Sequence, residues 1–342
     1  MTSYATQLPV RFLHVVRARR LTPRMARITL GGADLADLRL DGPDQQVKLY
    51  FPKPGQDRPR LPEAGAGGGD PMRWYEGFHA IPEAERPWMR SYTVRAHHPV
   101  DATIDIDFVL HSDGGHGDGG HGACGHGDSG HRDVLHGDAG VGPATRWAAR
   151  AQPGDVIGMF GPSAHYSKPV PLGIANWTLL AGDETALPAL GTIIEALPEG
   201  AKAVACIEVQ DAADEQQFTT RGELTVHWLH RGETPAGHAG LLLGAIRSAT
   251  FPEGSAYAWL AGEAGAVRAL RRHLVGERGM AKKDVDFAGY WRLRLTQDDA
   301  PTADDLADAQ ELLAQAQAQA QAQAKAQAQA KARTQTQAQA QN

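Results

Sequence analysis

The chain has 342 residues, a formal net charge of −6 at pH 7 and two cysteines, Cys124 and Cys206. That length exceeds one small core and fits two domains plus an appendage. The acidic balance gives no electrostatic case for nucleic acid, and two cysteines in unlike contexts predict free thiols, not a disulfide framework. No apolar run reaches about eighteen residues, and the first ten residues lack a basic stretch followed by an apolar one, so the expectation is a soluble cytoplasmic protein without membrane insertion.

Residues 10–16 and 25–30 read as strands on either side of the turn signal Leu21, Thr22, Pro23. Residues 46–51 read as a third strand that Pro52 stops. A stretch rich in Pro and Gly then runs to about Trp88, with residues 65–69 at its centre, and is expected to be a lid or a flexible excursion. Next come Arg90, Ser91, Tyr92, Thr93, Val94 and Arg95, which alternate as a strand does. Arg90, Tyr92 and Val94 share one face; Ser91, Thr93 and Arg95 share the other. An aromatic ring, hydroxyls and a guanidinium within four residues suit an isoalloxazine ring and its pyrophosphate, because the guanidinium fork matches phosphate oxygens. An edge strand with an exposed basic rim would read the same way.

Residues 103–110 alternate with period two. With few helices among about six strands, this half predicts a small antiparallel β-barrel. Gly142, Pro143, Ala144 and Thr145 open a short helix through Ala148, offering backbone N–H groups and a hydroxyl of the kind that holds a pyrophosphate. Residues 152–162 complete the barrel. Before that helix, His111, His116, His121, His126, His131 and His136 recur every five residues, mostly as His-Gly-Asp-x-Gly, as tandem expansion of one turn would produce. With the interleaved aspartates and Cys124, the central histidines His116, His121, His126 and His131 could take zinc or nickel. The reading adopted is a glycine-rich loop with adventitious metal affinity, so no metal is expected.

From Trp177 the period changes. Residues 177–181 are a continuous apolar run, residues 182–190 turn into a helix ending near 197–198, and strands at 203–209, 224–229 and 256–261 alternate with helices at 240–248 and 264–275. That alternation predicts a doubly wound parallel sheet with its ligand at the carboxyl ends of the strands, where residues 182–186 and Gly262, Glu263 fall. Residues 303–313 read as a helix. Residues 315–342 are mainly Gln-Ala alternation, which offers no apolar face and is expected to be a solvated tail.

A barrel carrying Arg-x-Tyr-Thr, followed by an α/β domain whose first strand ends in a glycine turn, resembles the ferredoxin reductase-like flavoproteins. More specifically the chain is similar to the siderophore-interacting proteins, the bacterial ferric-siderophore reductases. The resembling stretches are residues 47–52, 90–95, 136–138 with 142–147, 182–189 (Gly-Asp-Glu-Thr-Ala-Leu-Pro-Ala), 261–263 and 289–292. The implied organisation is an FAD-binding β-barrel domain over 1–170 with a His/Gly-rich insertion at 112–140, an NAD(P)H-binding α/β domain over 171–297, and a tail over 298–342. The resemblance assigns Arg90, Ser91, Tyr92 and Thr93 to the flavin, and Ala144 and Thr145 to the pyrophosphate. His136 with Asp138 takes the position of the family's His-Gly-Asp; His111 is the alternative. Asp183, Glu184, Thr185, Ala186, Gly262 and Glu263 would line the nicotinamide approach, with Tyr290 and Trp291 beside the flavin.

The implied reaction is hydride transfer from NADH or NADPH to flavin N5, then single electrons to Fe(III) in a siderophore; the chemistry is the cofactor's, so no general acid or base is named. Lys48, Arg146 and Arg292 would form a cationic mouth for an anionic ferric chelate. Glu208 and Asp211 favour a ribose diol and hence NADH, while Arg221, His230 and Arg231 offer cations for a 2′-phosphate, and both donors stay open. A monomer is expected. The alternatives are a flavin reductase or diaphorase of the same superfamily, and a metal-binding protein acting through the histidine loop.

Overall fold

In the computed structural model the described residues are 10–62, 71–110, 142–162, 170–238, 240–293, 295, 299–311, 313–314, 317–318 and 321. Met1–Arg294 form one compact unit and Leu295–Asn342 a second. The histidine repeat with Cys124, His136 and Asp138, the glycines at 65–69 and most of the Gln-Ala segment lie outside the described residues.

The first seven strands form one antiparallel sheet: β1 (Val10–Thr22), β2 (Met25–Gly31), β3 (Gln46–Phe51), β4 (Trp88–Thr93), β5 (Ala96–His98), β6 (Thr103–Val109) and β7 (Val156–Phe160), in the order β4-β3-β7-β1-β2-β6-β5. Its two edges, β4 and β5, are joined by Val94 and Arg95 alone, so the sheet has to curl until the edges meet. Those two residues close it: the Val94 N–H donates to the Gln45 carbonyl at 2.9 Å and the Arg95 N–H to the Asp105 carbonyl at 2.9 Å, one to each side. The barrel predicted from the sequence is therefore present. Period-two alternation points Leu13, Val15, Ile28, Leu30, Val47, Leu49, Phe51, Ile104, Ile106, Phe108, Ile157 and Met159 inward. Helix α2 (Pro143–Arg150) plugs one end, its Trp147 packed on Phe51 and Phe108 with ring centroids 5.4 and 5.7 Å apart.

The stretch before β4, expected to be a lid or a flexible excursion, is in part regular structure. It contains helix α1 (Pro71–His79), whose Trp74 and Phe78 sit on the outward ring of Tyr50, at 5.7 and 5.4 Å. Trp74 and Phe78, four residues apart, share one helical face, and with Ile81 just past the helix end they cover the outer side of β3 and β7. Glycine and proline flanking it hid that pattern. Strand β5 is three residues long and gave no period to read.

The second sheet is parallel: β8 (Trp177–Gly182), β9 (Lys202–Val209), β10 (Glu223–His230), β11 (Ala256–Glu263) and β12 (Val285–Trp291), ordered β10-β9-β8-β11-β12, with helices α3 (Leu187–Glu195), α4 (Leu241–Ser248) and α5 (Ala264–Arg272). Every residue of β8 is buried, which is why it reads as a continuous apolar run. The expected helix over 264–275 stops at Arg272 and passes into a π-helical turn, His273–Glu277. The fifth strand, β12, was legible only as the motif around Tyr290: Val285, Asp286 and Phe287 alternate, but Ala288 and Gly289 end the pattern after three residues. Strand order reverses between β8 and β11, and a doubly wound sheet takes its ligand at that switch point.

Cys206 is a free, buried thiol, as expected. No helix among the described residues is long and apolar enough to cross a membrane. In the second unit residues 303–311 are helical, started by a reciprocal cap in which the Thr302 N–H donates to Asp305 Oδ2 at 2.8 Å and the Asp305 N–H to Thr302 Oγ1 at 3.2 Å.

Candidate functional site

Strand β4 carries the expected flavin residues. In its register with β3, Tyr92 lies opposite Val47 and Arg90 opposite Leu49, whereas Ser91 lies opposite Lys48 and Thr93 opposite Gln46. The faces are those predicted. Tyr92 packs on Phe108 at 4.4 Å, and Phe108 in turn on Trp147 of α2, so the strand and the helix start are brought to the same end of the barrel. Burial pushes the Tyr92 phenol far up, leaving it an uncharged aromatic surface. Arg90 donates to the Met89 carbonyl at 2.8 Å and is partly exposed.

At the start of α2, Gly142 supplies no side-chain cap and Pro143 occupies the first turn, which leaves the first amides to an external acceptor. The Thr145 hydroxyl was expected to face a phosphate. Instead it donates to the Val109 carbonyl at 3.1 Å and ties α2 to β6. An aromatic ring, a guanidinium and an uncapped helix start, gathered at one barrel end, are a donor set that fits FAD.

Lys48 donates to Ser91 Oγ at 2.5 Å, and burial lowers its pKa. Lys48 on β3, Arg146 on α2 and Arg292 just beyond β12 come from separate elements.

At the switch point, Asp183 gathers the loops. Its carboxylate accepts from the Thr185 N–H at 2.9 Å, from the Glu263 N–H at 2.8 Å and from the Trp291 indole N–H at 2.8 Å. Gly262 makes the close approach possible: its φ is +141°, and a Cβ there would lie 2.6 Å from an Asp183 carboxylate oxygen. Glu263 caps α5 by accepting from the Ala266 N–H at 2.8 Å and also accepts from the Leu293 N–H at 3.2 Å. Ala186 is buried at the N-cap of α3. Asp183, Thr185, Gly262, Glu263 and Trp291 are thus together, as the motifs implied.

Glu184 is not among the groups facing that crevice with a free carboxylate. It forms a two-pronged ion pair with Arg231 at 2.6 and 2.7 Å, with side chains 9% and 6% exposed. Burial, then the neighbouring Asp183, push its carboxyl up, and Arg231 opposes them. The same pair already engages the Arg231 guanidinium, one of the cations considered for a 2′-phosphate. His230 meets Glu215 at 2.8 Å, and Asp211 pairs with Arg24 of the β1–β2 turn at 3.0 Å. Glu208 is buried and its carboxyl is pushed up to about 7, chiefly by that burial.

Apart from Tyr290, which its motif had placed beside the flavin, the residues that join the two sheets were not read from the sequence. Tyr290 donates to Asp44 Oδ1 at 2.9 Å and accepts from Gln46 Nε2 at 3.2 Å, while Trp259 on β11 donates to Asp44 Oδ2 at 3.1 Å. The Asp44 N–H donates to Thr192 Oγ1 on α3 at 3.0 Å. Beside them Arg95 pairs with Glu195 of α3 at 2.8 Å and lies over Gly191, whose added Cβ would meet its Nε at 3.1 Å. Gly42, Pro43 and Asp44 look like an ordinary turn, and a lone glycine inside α3 looks like a weak helix position; only the packing gives either a role.

The profile of the siderophore-interacting FAD-binding domain matches residues 14–128 and 133–166, and that of the siderophore-interacting protein family matches residues 175–294. The chain is similar to the ferric vibriobactin reductase of Vibrio cholerae, 29% identical over 295 residues, which are 85% of this chain and 93% of the relative. The NADPH-dependent ferric-chelate reductase of Escherichia coli is 27% identical over 292 residues, 84% and 94% of the two chains. Among solved structures, a siderophore utilization protein from T. fusca superposes with a TM-score of 0.64 at 35% identity, covering 86% of this chain and 96% of its own.

Proposed function

The chain belongs to the siderophore-interacting protein family, and from that premise we propose that it is an FAD-dependent NAD(P)H oxidoreductase that reduces Fe(III) held by a siderophore to Fe(II). One observation carries the reading: the end of the barrel that presents Tyr92, Arg90 and the uncapped start of α2 is bolted, through Asp44 and Tyr290, to the parallel sheet whose switch point gathers Asp183, Gly262 and Trp291. Bound FAD supplies the exchange between a two-electron donor and a one-electron acceptor.

The residues of the chain bind and orient. Tyr92 gives the ring an apolar face, Arg90 and the first amides of α2 neutralise the pyrophosphate, and Thr93 offers a hydroxyl at the ring edge. Asp183 holds Trp291 and the turn at Gly262 in place, so that the nicotinamide has a preformed floor. Glu184 and Arg231 brace that floor from beneath and take no part in binding. His136 and Asp138 are proposed as further flavin contacts by motif alone. Lys48, Arg146 and Arg292 attract the anionic chelate. Hard-oxygen chelators hold Fe(II) far more weakly than Fe(III), so reduction suffices for release, in the cytoplasm and by a monomer on this reading. The relatives' names support the acceptor class: one is a ferric vibriobactin reductase, the other an NADPH-dependent ferric-chelate reductase.

The test is steady-state turnover of the FAD-loaded protein with NADH and with NADPH, Fe(II) being trapped by a colorimetric chelator. Ferric catecholate or hydroxamate chelates should be reduced with a higher kcat/KM than free flavin or a neutral quinone. Equal or better use of free flavin would move the assignment to a general flavin reductase.

A further inference from the structure

Asp44 carries two unfavourable features at once. Its φ is +63°, in the left-handed region where a residue with a Cβ is strained. Its carboxyl is enclosed between the two sheets, and that burial pushes it up to about 7 against the donors that surround it. Strain and a half-buried, hydrogen-bonded acid at one residue point to a role that the turn alone does not require.

The donors decide what the role is. A carboxylate offers only lone pairs, and Tyr290, Trp259 and Gln46 each give it a hydrogen. The titratable groups facing it are Tyr290 and Asp286 on β12 and Tyr257 on β11, where Tyr257 donates to Asp286 at 3.1 Å; from α3 it meets only the Thr192 hydroxyl. When Asp44 takes a proton, its new O–H needs an acceptor among these partners. The indole of Trp259 can only donate. The Tyr290 hydroxyl can turn without any heavy atom moving, since a phenol both donates and accepts.

Tyr290 is also hydrogen-bonded to Thr93, the last residue of β4. With Asp44 ionised, the Tyr290 hydrogen points at Asp44 and Thr93 donates to Tyr290, so the free side of the Thr93 hydroxyl is an acceptor. With Asp44 protonated, the Tyr290 hydrogen turns to Thr93, whose own hydrogen is then free to point to another acceptor. We propose that Asp44 is a positioning residue whose proton sets, through Tyr290, whether the Thr93 hydroxyl accepts from or donates to the bound flavin. This rests on the flavoprotein reading above, and no residue in it touches the iron chelate.

The test is a pH titration of the visible flavin spectrum of the oxidised, FAD-loaded protein, with Asp44→Asn and Tyr290→Phe alongside the native chain. The native flavin band should shift with a single ionisation near neutral pH. Both variants should keep FAD and lose that step, Asp44→Asn because the carboxyl is gone and Tyr290→Phe because the relay is cut. In flavin-free protein, the infrared band of a protonated carboxyl should persist to near neutral pH and weaken in Asp44→Asn. A native protein with no step, or a step kept by both variants, overturns the proposal; if Asp44→Asn does not fold, Tyr290→Phe decides. Failure of the native protein to bind FAD would instead overturn the flavoprotein reading, and the infrared comparison would still report on Asp44.

Discussion

Replacing Arg231 by Leu separates a structural role from a nucleotide-binding one. The guanidinium meets both Glu184 carboxylate oxygens, at 2.6 and 2.7 Å, with neither side chain more than 9% exposed. Removing one partner of such a pair leaves the other charged and desolvated, which costs about 3–5 kcal/mol. Without Arg231, the opposing influence on Glu184 is gone and its already raised carboxyl rises further. A carboxyl with a raised folded pKa binds its proton more readily folded than unfolded, so the deficit of Arg231→Leu is largest in alkaline solution and shrinks as the pH falls and Glu184 becomes neutral. The double variant Glu184→Leu with Arg231→Leu should recover to within about 1 kcal/mol of the native chain. Urea unfolding followed by tryptophan fluorescence at mildly acid and mildly alkaline pH measures all three, and the ratio of kcat/KM for NADPH over NADH measures the other role. A loss in Arg231→Leu below about 1 kcal/mol at alkaline pH, combined with a large fall in use of NADPH alone, would refute the reasoning and make Arg231 a phosphate ligand.

Gly262→Ala should be among the most damaging single changes, since it forces a Cβ at φ +141° to within 2.6 Å of the Asp183 carboxylate; a loss of about 2–4 kcal/mol is expected, read by thermal melting, together with a weakened KM for the nicotinamide. Lys48→Met should raise KM for anionic ferric chelates several-fold and leave a neutral acceptor nearly unchanged in steady-state assays. Because burial lowers the Lys48 pKa, the native preference for anionic chelates should fade on raising the pH sooner than an ordinary lysine would allow, and the variant should lack that fading. Glu208→Gln should be more stable than the native chain in alkaline solution by about 1–2 kcal/mol. The native carboxyl is pushed up to about 7, so its stability cost appears as the pH rises from the unfolded value toward 7, and the difference should vanish in acid; a constant difference across that range would remove burial as the cause.

What the sequence revealed and what it hid follow from the range of the interactions concerned. Alternation of Ile104, Ile106 and Phe108, or the apolar run of β8, is a local consequence of one or two buried faces, and such strands were placed within a residue or two. The motifs around Tyr92, Asp183 and Gly262 were found because each lies in one short segment. The helix α1 was missed because its apolar face, Trp74 and Phe78, is flanked by glycine and proline, and β12 because Ala288 and Gly289 end its alternation after three residues. Asp44 was invisible for a different reason. Its partners, Trp259 and Tyr290, are 215 and 246 residues away along the chain, and nothing in a Gly-Pro-Asp turn announces them. The pairing of Glu184 with Arg231 was hidden on the same ground: each matched a local motif or strand end, and nothing local announces that the fold sets them against one another.

The central claim is that nicotinamide electrons reach a ferric siderophore through FAD held on this chain. Its most direct test is an anaerobic spectrum of the purified, FAD-reconstituted protein as NADH or NADPH and then a ferric siderophore are added, with a colorimetric trap for Fe(II). A flavin band that bleaches with the nicotinamide and returns on addition of the chelate, as Fe(II) appears at two per flavin, is the expected result; two follows from passing a two-electron hydride equivalent to a one-electron acceptor. A protein that takes up no FAD, or whose reduced flavin persists in the presence of the chelate and is reoxidised only by free flavin or oxygen, would contradict it.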